Sequence, residues 1–289
     1  MPSRVARALL APATTLALLA LIAAPALAEH ASRHFDVSGK PTLSIDARDG
    51  NVRVSPGAPG RIDIEVETHG WQIGNGGVKI VAEQQGNQVH FEVHEPSGWL
   101  VFSLRVNRRV AIDVHVPPEL TLDVSTGDGS VTVGDLTGDI HLHTGDGNVD
   151  AQRLKGDLAI ESGDGRVSVM GHDGRLRARS GDGHMSAHGR FDRLDVGTSD
   201  GSVDVDVLPR SRVVDEWRVT SGDGPVTVRL PRDLAADLDV HTGDGRITTD
   251  LTVAVTGTVT SQTLRGRLNG GGERITVHTG DGSVHVEGS

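Results

Sequence analysis

The chain has no cysteine and no tyrosine, and only three Trp and four Phe among 289 residues. Without cysteine no disulfide can brace the fold, even in a compartment where one could form, and no N-terminal cysteine can carry a lipid. With seven aromatics the core has to be built from Val, Leu, Ile and Ala, and the aromatic girdles of a membrane barrel are missing. Positive charge is scarce too. Lysine occurs only at Lys40, Lys79 and Lys155, and Asp plus Glu outnumber Lys plus Arg by 39 to 28. That balance argues against nucleic acid and for a solvated, self-repelling surface. Beyond residue 28 no apolar run is long enough to cross a bilayer as a helix.

The first 28 residues read as a leader rather than as part of the fold. Arg4 and Arg7 form a basic start, Ala8 through Ala24 is mainly apolar, and Ala26-Leu27-Ala28 supplies small residues for cleavage. Pro12, Thr14, Thr15 and Pro25 interrupt the run, which disfavours a membrane anchor. Cleavage would leave Glu29 first and a formal charge of −13, with Arg4 and Arg7 gone. The expected location is therefore outside the cytoplasm, periplasmic or extracellular in a bacterial cell envelope.

Glycine is abundant, at 38 residues, and it marks an internal repeat. T-G-D-G-S-V-T-V at Thr126 returns as TGDGNVDA, SGDGRVSV, SGDGHMSA, TSDGSVDV, SGDGPVTV, TGDGRITT and TGDGSVHV, with an earlier degenerate copy, ARDGNVRV, at Ala47. Asp128, Asp146, Asp164, Asp182 and Asp200 are spaced by 18 residues. In all nine copies the positions six and four before the Asp are apolar, as is the one three after. The position five after is apolar except at Thr249. This period-2 alternation on both flanks makes each unit a strand, a Gly-Asp-Gly corner and a second strand. Glycine would permit positive φ at the corner, and the Asp would bond neighbouring amides.

A hairpin meander would also fit the alternation, but a constant period favours a parallel β-solenoid with about 18 residues per coil, since equal coils keep equivalent residues in register. Leu136, Leu154 and Phe191 could fill a third inward side. The expected layout is an all-β chain: leader 1–28, a more irregular β-strand region 29–118 that caps the first coil or continues it, and a repeat region 119–289. Beyond Asp200 the intervals stretch to 23, 21 and 37 residues. Loops are thus inserted late, the longest ending in Leu264–Gly272, which reads as a cap, a turn or a functional loop.

These features resemble a bacterial β-strand-repeat family of unknown function often labelled "putative adhesin". The resemblance rests on the leader, the V-x-V strands, the [ST]-G-D-G corners and the closing L-N-G-G-G…I-T-V-H-T-G-D-G-S-V-H-V. It covers about residues 40–289 and implies a solenoid-like fold and an envelope location, with no catalytic residues to carry over.

Four constellations invite chemistry. A stacked ladder of Asp128, Asp146, Asp164, Asp182 and Asp200 could hold divalent cations, although the G-G-x-G-x-D calcium-roll pattern is absent; hydrated turn residues are the plainer reading. Gly197–Gly201 (G-T-S-D-G) matches a nucleophile elbow, but a strand follows Ser199 where that chemistry needs a helix. His141 and His143 form an H-x-H pair with no evident third ligand; Glu161 would lie between His143 and Arg179 on an exposed face. Trp71, Phe91, Trp99 and Phe102, with Arg105, Arg108 and Arg109, have the composition of a contact hot spot or of a capping mini-core.

No residue is assigned to catalysis, a cofactor or a metal. The expected function is a non-enzymatic envelope scaffold or adhesin-like surface with an unidentified protein or glycan partner. The alternatives are a divalent-cation-binding β-roll and a polysaccharide-active β-helix enzyme. Self-association is expected if Val284–Glu287 leaves an open edge. A localised function is expected where the 18-residue rule breaks.

Overall fold

A computed structural model describes residues 28–74, 76–95, 109–256 and 259–289. Nearly all of the expected leader, and Trp99, Phe102, Arg105 and Arg108, lie outside these residues. The described chain forms 23 β-strands and, among the described residues, no helix. The all-β expectation holds.

The strands run in chain order as β1 (Ala28–Asp36), β2 (Thr42–Ala47), β3 (Asn51–Pro56), β4 (Arg61–His69), β5 (Lys79–Gln85), β6 (Gln88–His94), β7 (Arg109–Val116) and β8 (Glu119–Thr126). They continue as β9 (Val131–Gly134), β10 (Thr137–Thr144), β11 (Val149–Gln152), β12 (Lys155–Ser162), β13 (Val167–Ser180), β14 (Met185–Thr198), β15 (Val203–Val207) and β16 (Trp217–Ser221). The last are β17 (Val226–Leu230), β18 (Ala236–Thr242), β19 (Ile247–Thr249), β20 (Ala254–Val255), β21 (Thr263–Leu268), β22 (Arg274–Thr279) and β23 (Val284–Gly288).

Each repeat sends its upstream strand to one ladder and its downstream strand to another. The first ladder runs β6, β2, β8, β10, β12, β13, β14, β16, β22, β18, all parallel. The second runs β7, β3, β9, β11, β13, β14, β15, β17, β23, β19, also parallel. In the regular block the register is 18 residues: Leu122 faces Ile140, which faces Leu158, which faces Leu176. Antiparallel strands depart from this scheme at both ends. β5 adds to β6, β4 and β1 add beyond β7, and β21 and β20 add to β18. Apolar side chains of both ladders form one continuous core, with Trp217, Phe91 and Phe191 its largest fully buried members. A third inner row is filled by Leu136, Leu154 and Phe191, as the sequence suggested, but also by His172.

Two expectations need correction. The order of repeats in space is not their order in sequence: β22 lies between β16 and β18, and β23 between β17 and β19. Val284–Glu287 is therefore an interior strand rather than an open edge. The outermost member of the second ladder is β19, where Thr249 breaks the apolar pattern and is exposed. The degenerate copy at Ala47 is also in line, since β2 and β3 stack on β8 and β9, with Leu43 facing Leu122 and Val52 facing Val131.

The corner works differently from its sequence reading. The second glycine of each corner does not adopt positive φ. Glycine is needed there because a Cβ on Gly129, Gly147, Gly165 or Gly183 would collide with the carbonyl oxygen of the glycine in the preceding repeat. The polar partner is the Thr or Ser two residues before the Asp. Thr144 Oγ1 donates to Gly129 O at 3.0 Å and accepts from Gly147 N at 3.2 Å. Thr279 donates to Gly224 O (2.8 Å), Ser221 to Gly201 O (2.7 Å) and Thr242 to Gly282 O (2.7 Å). Ser162 alone leaves a buried hydroxyl without a partner.

Gly147→Ala is expected to lower the urea midpoint by an amount equivalent to about 1–3 kcal/mol, the usual range for forcing a methyl group into a packed interior. Thr144→Val, which strips the partner from two buried backbone groups, should cost about 1–3 kcal/mol. Gly134→Ala, whose Cβ would meet its nearest neighbour at 3.6 Å, should be silent in the same assay.

Candidate functional site

The corner aspartates stand outside. Asp49, Asp128, Asp146, Asp164, Asp182, Asp200, Asp223, Asp244 and Asp281 are all exposed. Among the described residues no group of three His, Asp or Glu side chains is placed to hold a metal. Ser199 is exposed, its amide donates to Gly181 O at 2.7 Å, and β15 follows it, so the strand-to-helix elbow is not formed. His143 faces Glu161 at 3.9 Å, and Glu161 lies beside Arg179 in register, the exposed arrangement expected from the spacing. Arg179, however, bonds Asp195 at 2.6 Å. Phe91 is fully buried beside Ile45 in the ladder, so it belongs to the core rather than to a contact surface. Trp71 is half-buried against that core, and Arg109 opens β7. In the late insertion, Leu264–Leu268 lies in β21 against β18, and Asn269, Gly270 and Gly271 make a left-handed turn into β22. It caps the first ladder.

The chemistry collects instead on the third side of the repeats, where the connectors turn. A groove of about 780 Å³ is lined by Asp135, Leu136, Thr137, Arg153, Lys155, Gly171, His172, Asp173, Arg190, Leu208, Pro209 and Arg210. Three of these positions recur at 18-residue spacing: Asp135 (φ 59°), Arg153 (φ 50°) and Gly171 (φ 71°) all adopt the left-handed conformation at the same corner. Arg210, from the first lengthened repeat, does so as well at φ 73°. Of the four non-glycine residues with positive φ among the described residues, three line this groove. Such backbone is uncommon for non-glycine residues and tends to gather at binding sites.

Two of its cations are held in place. Arg153 makes a two-pronged contact with Asp135, Nε to Oδ1 and Nη2 to Oδ2, both at 2.6 Å. Arg190 grips Asp173 likewise, with Nε to Oδ1 at 2.8 Å and a second bond from Nη2 to Oδ2. These guanidinium groups hold the Asp135 and Asp173 carboxyls below the usual carboxylate range. Lys155 and Arg210 form no hydrogen bond or ion pair through their side chains with the described residues, though the Lys155 charge reaches Asp173.

Beneath them lies His172, only 2% exposed, in the row otherwise filled by Leu136 and Leu154. Its Nε2 lies 3.0 Å from Arg175 O and its Nδ1 has no hydrogen-bond partner; its ring tilts against Phe191 at 6.2 Å. Burial lowers its pKa, against the opposing pull of the Arg175 carbonyl and the Asp173 carboxylate. A carbonyl partner makes Nε2 the protonated nitrogen of the neutral ring. Sequence reading missed this group. The available signal was opposite charge at one period (Asp135 and Arg153) beside a recurring L-T-G-D, L-K-G-D, H-D-G-R connector.

A second ionisable pair sits at the degenerate corner. Burial pushes Glu95 up to about 7, and the neighbouring Asp49 carboxylate adds to the shift. Its Oε2 is buried without a partner.

A repeat-built, all-β chain whose corners lock by close backbone contact, with its connectors shaping one charged groove, is the class of protein that this geometry defines. The chain belongs to the Toastrack DUF4097 family, which it matches over residues 41–287. No curated protein matches it. Among solved structures it is similar to a "putative lipid binding protein" from Parabacteroides distasonis, at 13% identity and TM-score 0.48 over 89% of this chain and 96% of that one. It is also similar to a "putative adhesin" from Bacteroides fragilis, at 12% identity and TM-score 0.39 over 90% and 97%. A "putative cell adhesion protein" from Clostridium sporogenes matches at 15% identity and TM-score 0.29 over 90% and 100%.

Glu95 supplies a pH test. A carboxyl raised from about 4.5 to about 7 on folding contributes stability that is complete below pH 4.5 and is lost as pH rises through 7. Thermal melts from pH 4.5 to 8 should therefore show a larger decline for the native chain than for Glu95→Gln, whose amide is indifferent to pH. Parallel curves would remove Glu95 as the titrating group.

Proposed function

We propose that this chain is a non-enzymatic β-solenoid of the bacterial envelope, exported through its leader and used as a rigid scaffold or adhesin-like contact surface. The 18-residue parallel register between β8 and β14 supports the solenoid reading. In this reading residues 29–118 close one end of the stack and 119–289 form its body. The partner is an envelope protein or glycan. The observation that carries the functional reading is the groove over His172, which gathers four cations on a chain of net charge −11. Its arginines are tied to carboxylates, and a surface with fixed polar groups at defined positions suits recognition. The family resemblance and the basic, apolar, A-x-A pattern of residues 1–28 support export.

The test has two readings. The chain recovered from its own bacterium should be found in the periplasmic or extracellular fraction with Glu29 as its N-terminal residue. Immobilised, it should retain a specific envelope protein or glycan, and Lys155→Gln with Arg210→Gln should release it. A cytoplasmic chain still starting at Met1 would overturn export. An exported chain that retains nothing from envelope protein and polysaccharide extracts would overturn the contact role.

A further inference from the structure

The charge of the groove narrows what it can receive. Arg153, Lys155, Arg190 and Arg210 line it against only Asp135 and Asp173, and the buried His172 is neutral, so the lining carries a net charge of two positive units. The two carboxylates are already engaged by the two guanidinium groups that they orient. The excess therefore resides on Lys155 and Arg210, which lack partners among the described residues.

Their placement is fixed by the backbone. Lys155 begins β12, with its amide bonded to Leu136 O at 3.0 Å. Arg210 sits left-handed in a short turn closed by Ser211, whose hydroxyl donates to Leu208 O at 2.8 Å and whose Oγ accepts from Phe191 N at 3.1 Å. The turn is thus pinned to the neighbouring repeat. Leu136, Leu208 and Pro209 add an apolar strip along the same groove.

We propose that this groove binds a phosphate group, with Lys155 and Arg210 as its direct partners and the Asp135–Arg153 and Asp173–Arg190 pairs as the walls that position it. A phosphate monoester carries a charge of about −1.5 to −2 near neutral pH, which matches the excess of the lining; a single carboxylate would leave one cation unpaired. Lysine and arginine are both established phosphate partners, one as a point charge and one through its planar fork. The apolar strip accommodates the body that bears the phosphate. The proposal rests on reading the groove as a contact site, but its test does not depend on export.

The test is calorimetric titration of the full chain with inorganic phosphate, with glucose 1-phosphate and, as a carboxylate control, with glucuronate. Flotation with phosphatidylcholine vesicles with or without phosphatidic acid runs beside it. Binding of glucose 1-phosphate at least tenfold tighter than glucuronate is expected, and Lys155→Gln combined with Arg210→Gln should weaken it at least tenfold without moving the melting temperature. Arg177→Gln, at an exposed position on the face of the first ladder, should leave binding unchanged. Selective flotation with phosphatidic acid, whose headgroup is a phosphate monoester, would assign the phosphate to a lipid headgroup, and binding of the soluble compounds alone would assign it to a soluble or glycan source; both outcomes support the site. Absence of binding by every phosphate-bearing probe at millimolar concentration would overturn the proposal. So would equal binding of glucuronate, or an equal loss in Arg177→Gln. A phosphate-binding chain found in the cytoplasm would overturn the envelope reading while leaving this site intact.

Discussion

Close approach of backbone to backbone at the Gly-Asp-Gly corner is the constraint on which the other contacts depend. At that point the carbonyl of one repeat occupies the space that a Cβ of the next would need. The gap is small enough for the buried Thr or Ser hydroxyl to bridge it, satisfying a carbonyl in the neighbouring repeat and, in several copies, an amide in its own. Buried backbone groups without partners are costly, so the hydroxyl and the missing side chain are two parts of one device. Once the corner is fixed, the strands on either side are held in register. The period-2 apolar flanks then deliver Val, Leu and Ile to one interior without a disulfide.

The apolar flanks were fully legible in the sequence because side-chain alternation is local: every position read as inward is buried, apart from Ile247, Thr249 and the half-exposed ends of the stack. The corner was recognised as a corner, yet its chemistry was assigned to the wrong residue. Asp128 and its equivalents are conspicuous by charge, while Thr126 and Thr144 look like ordinary strand ends, and only the geometry shows that the hydroxyls are buried and the carboxylates hydrated. The order of repeats was not legible at all. The flanks at Asp244 and Asp281 are chemically alike, so nothing local says which of them should lie against Asp223; that choice is made by β21, which turns back along β18 and returns the chain beside β16.

The groove escaped notice for a related reason. Its residues lie in connectors whose inward Leu136 and Leu154 were read as filler, and the substitution of His172 in that row has no period to reveal it. The break in the 18-residue spacing accounts for only part of the groove: Leu208, Pro209 and Arg210 come from the first repeat to exceed 18 residues. The remaining walls, however, come from perfectly regular repeats. Arg–Asp pairs along the stack, such as Arg153–Asp135 and Arg175–Asp157, are exposed and individually add little to stability. What they contribute is orientation: each fixes a planar guanidinium at a repeating position.

The insertion of β22 and β23 between strands made earlier has a consequence for biogenesis. A ribosome releases these residues last of all the described strands, yet they separate β16 from β18 and β17 from β19. Until they emerge, Trp217 and Val226 face an unpaired margin, and the repeat at Asp244 has no permanent seat. A chain without these two strands therefore displays two unpaired strand margins, which β22 and β23 cover. Removing this segment would thus open a seam inside the stack rather than shorten it from one end.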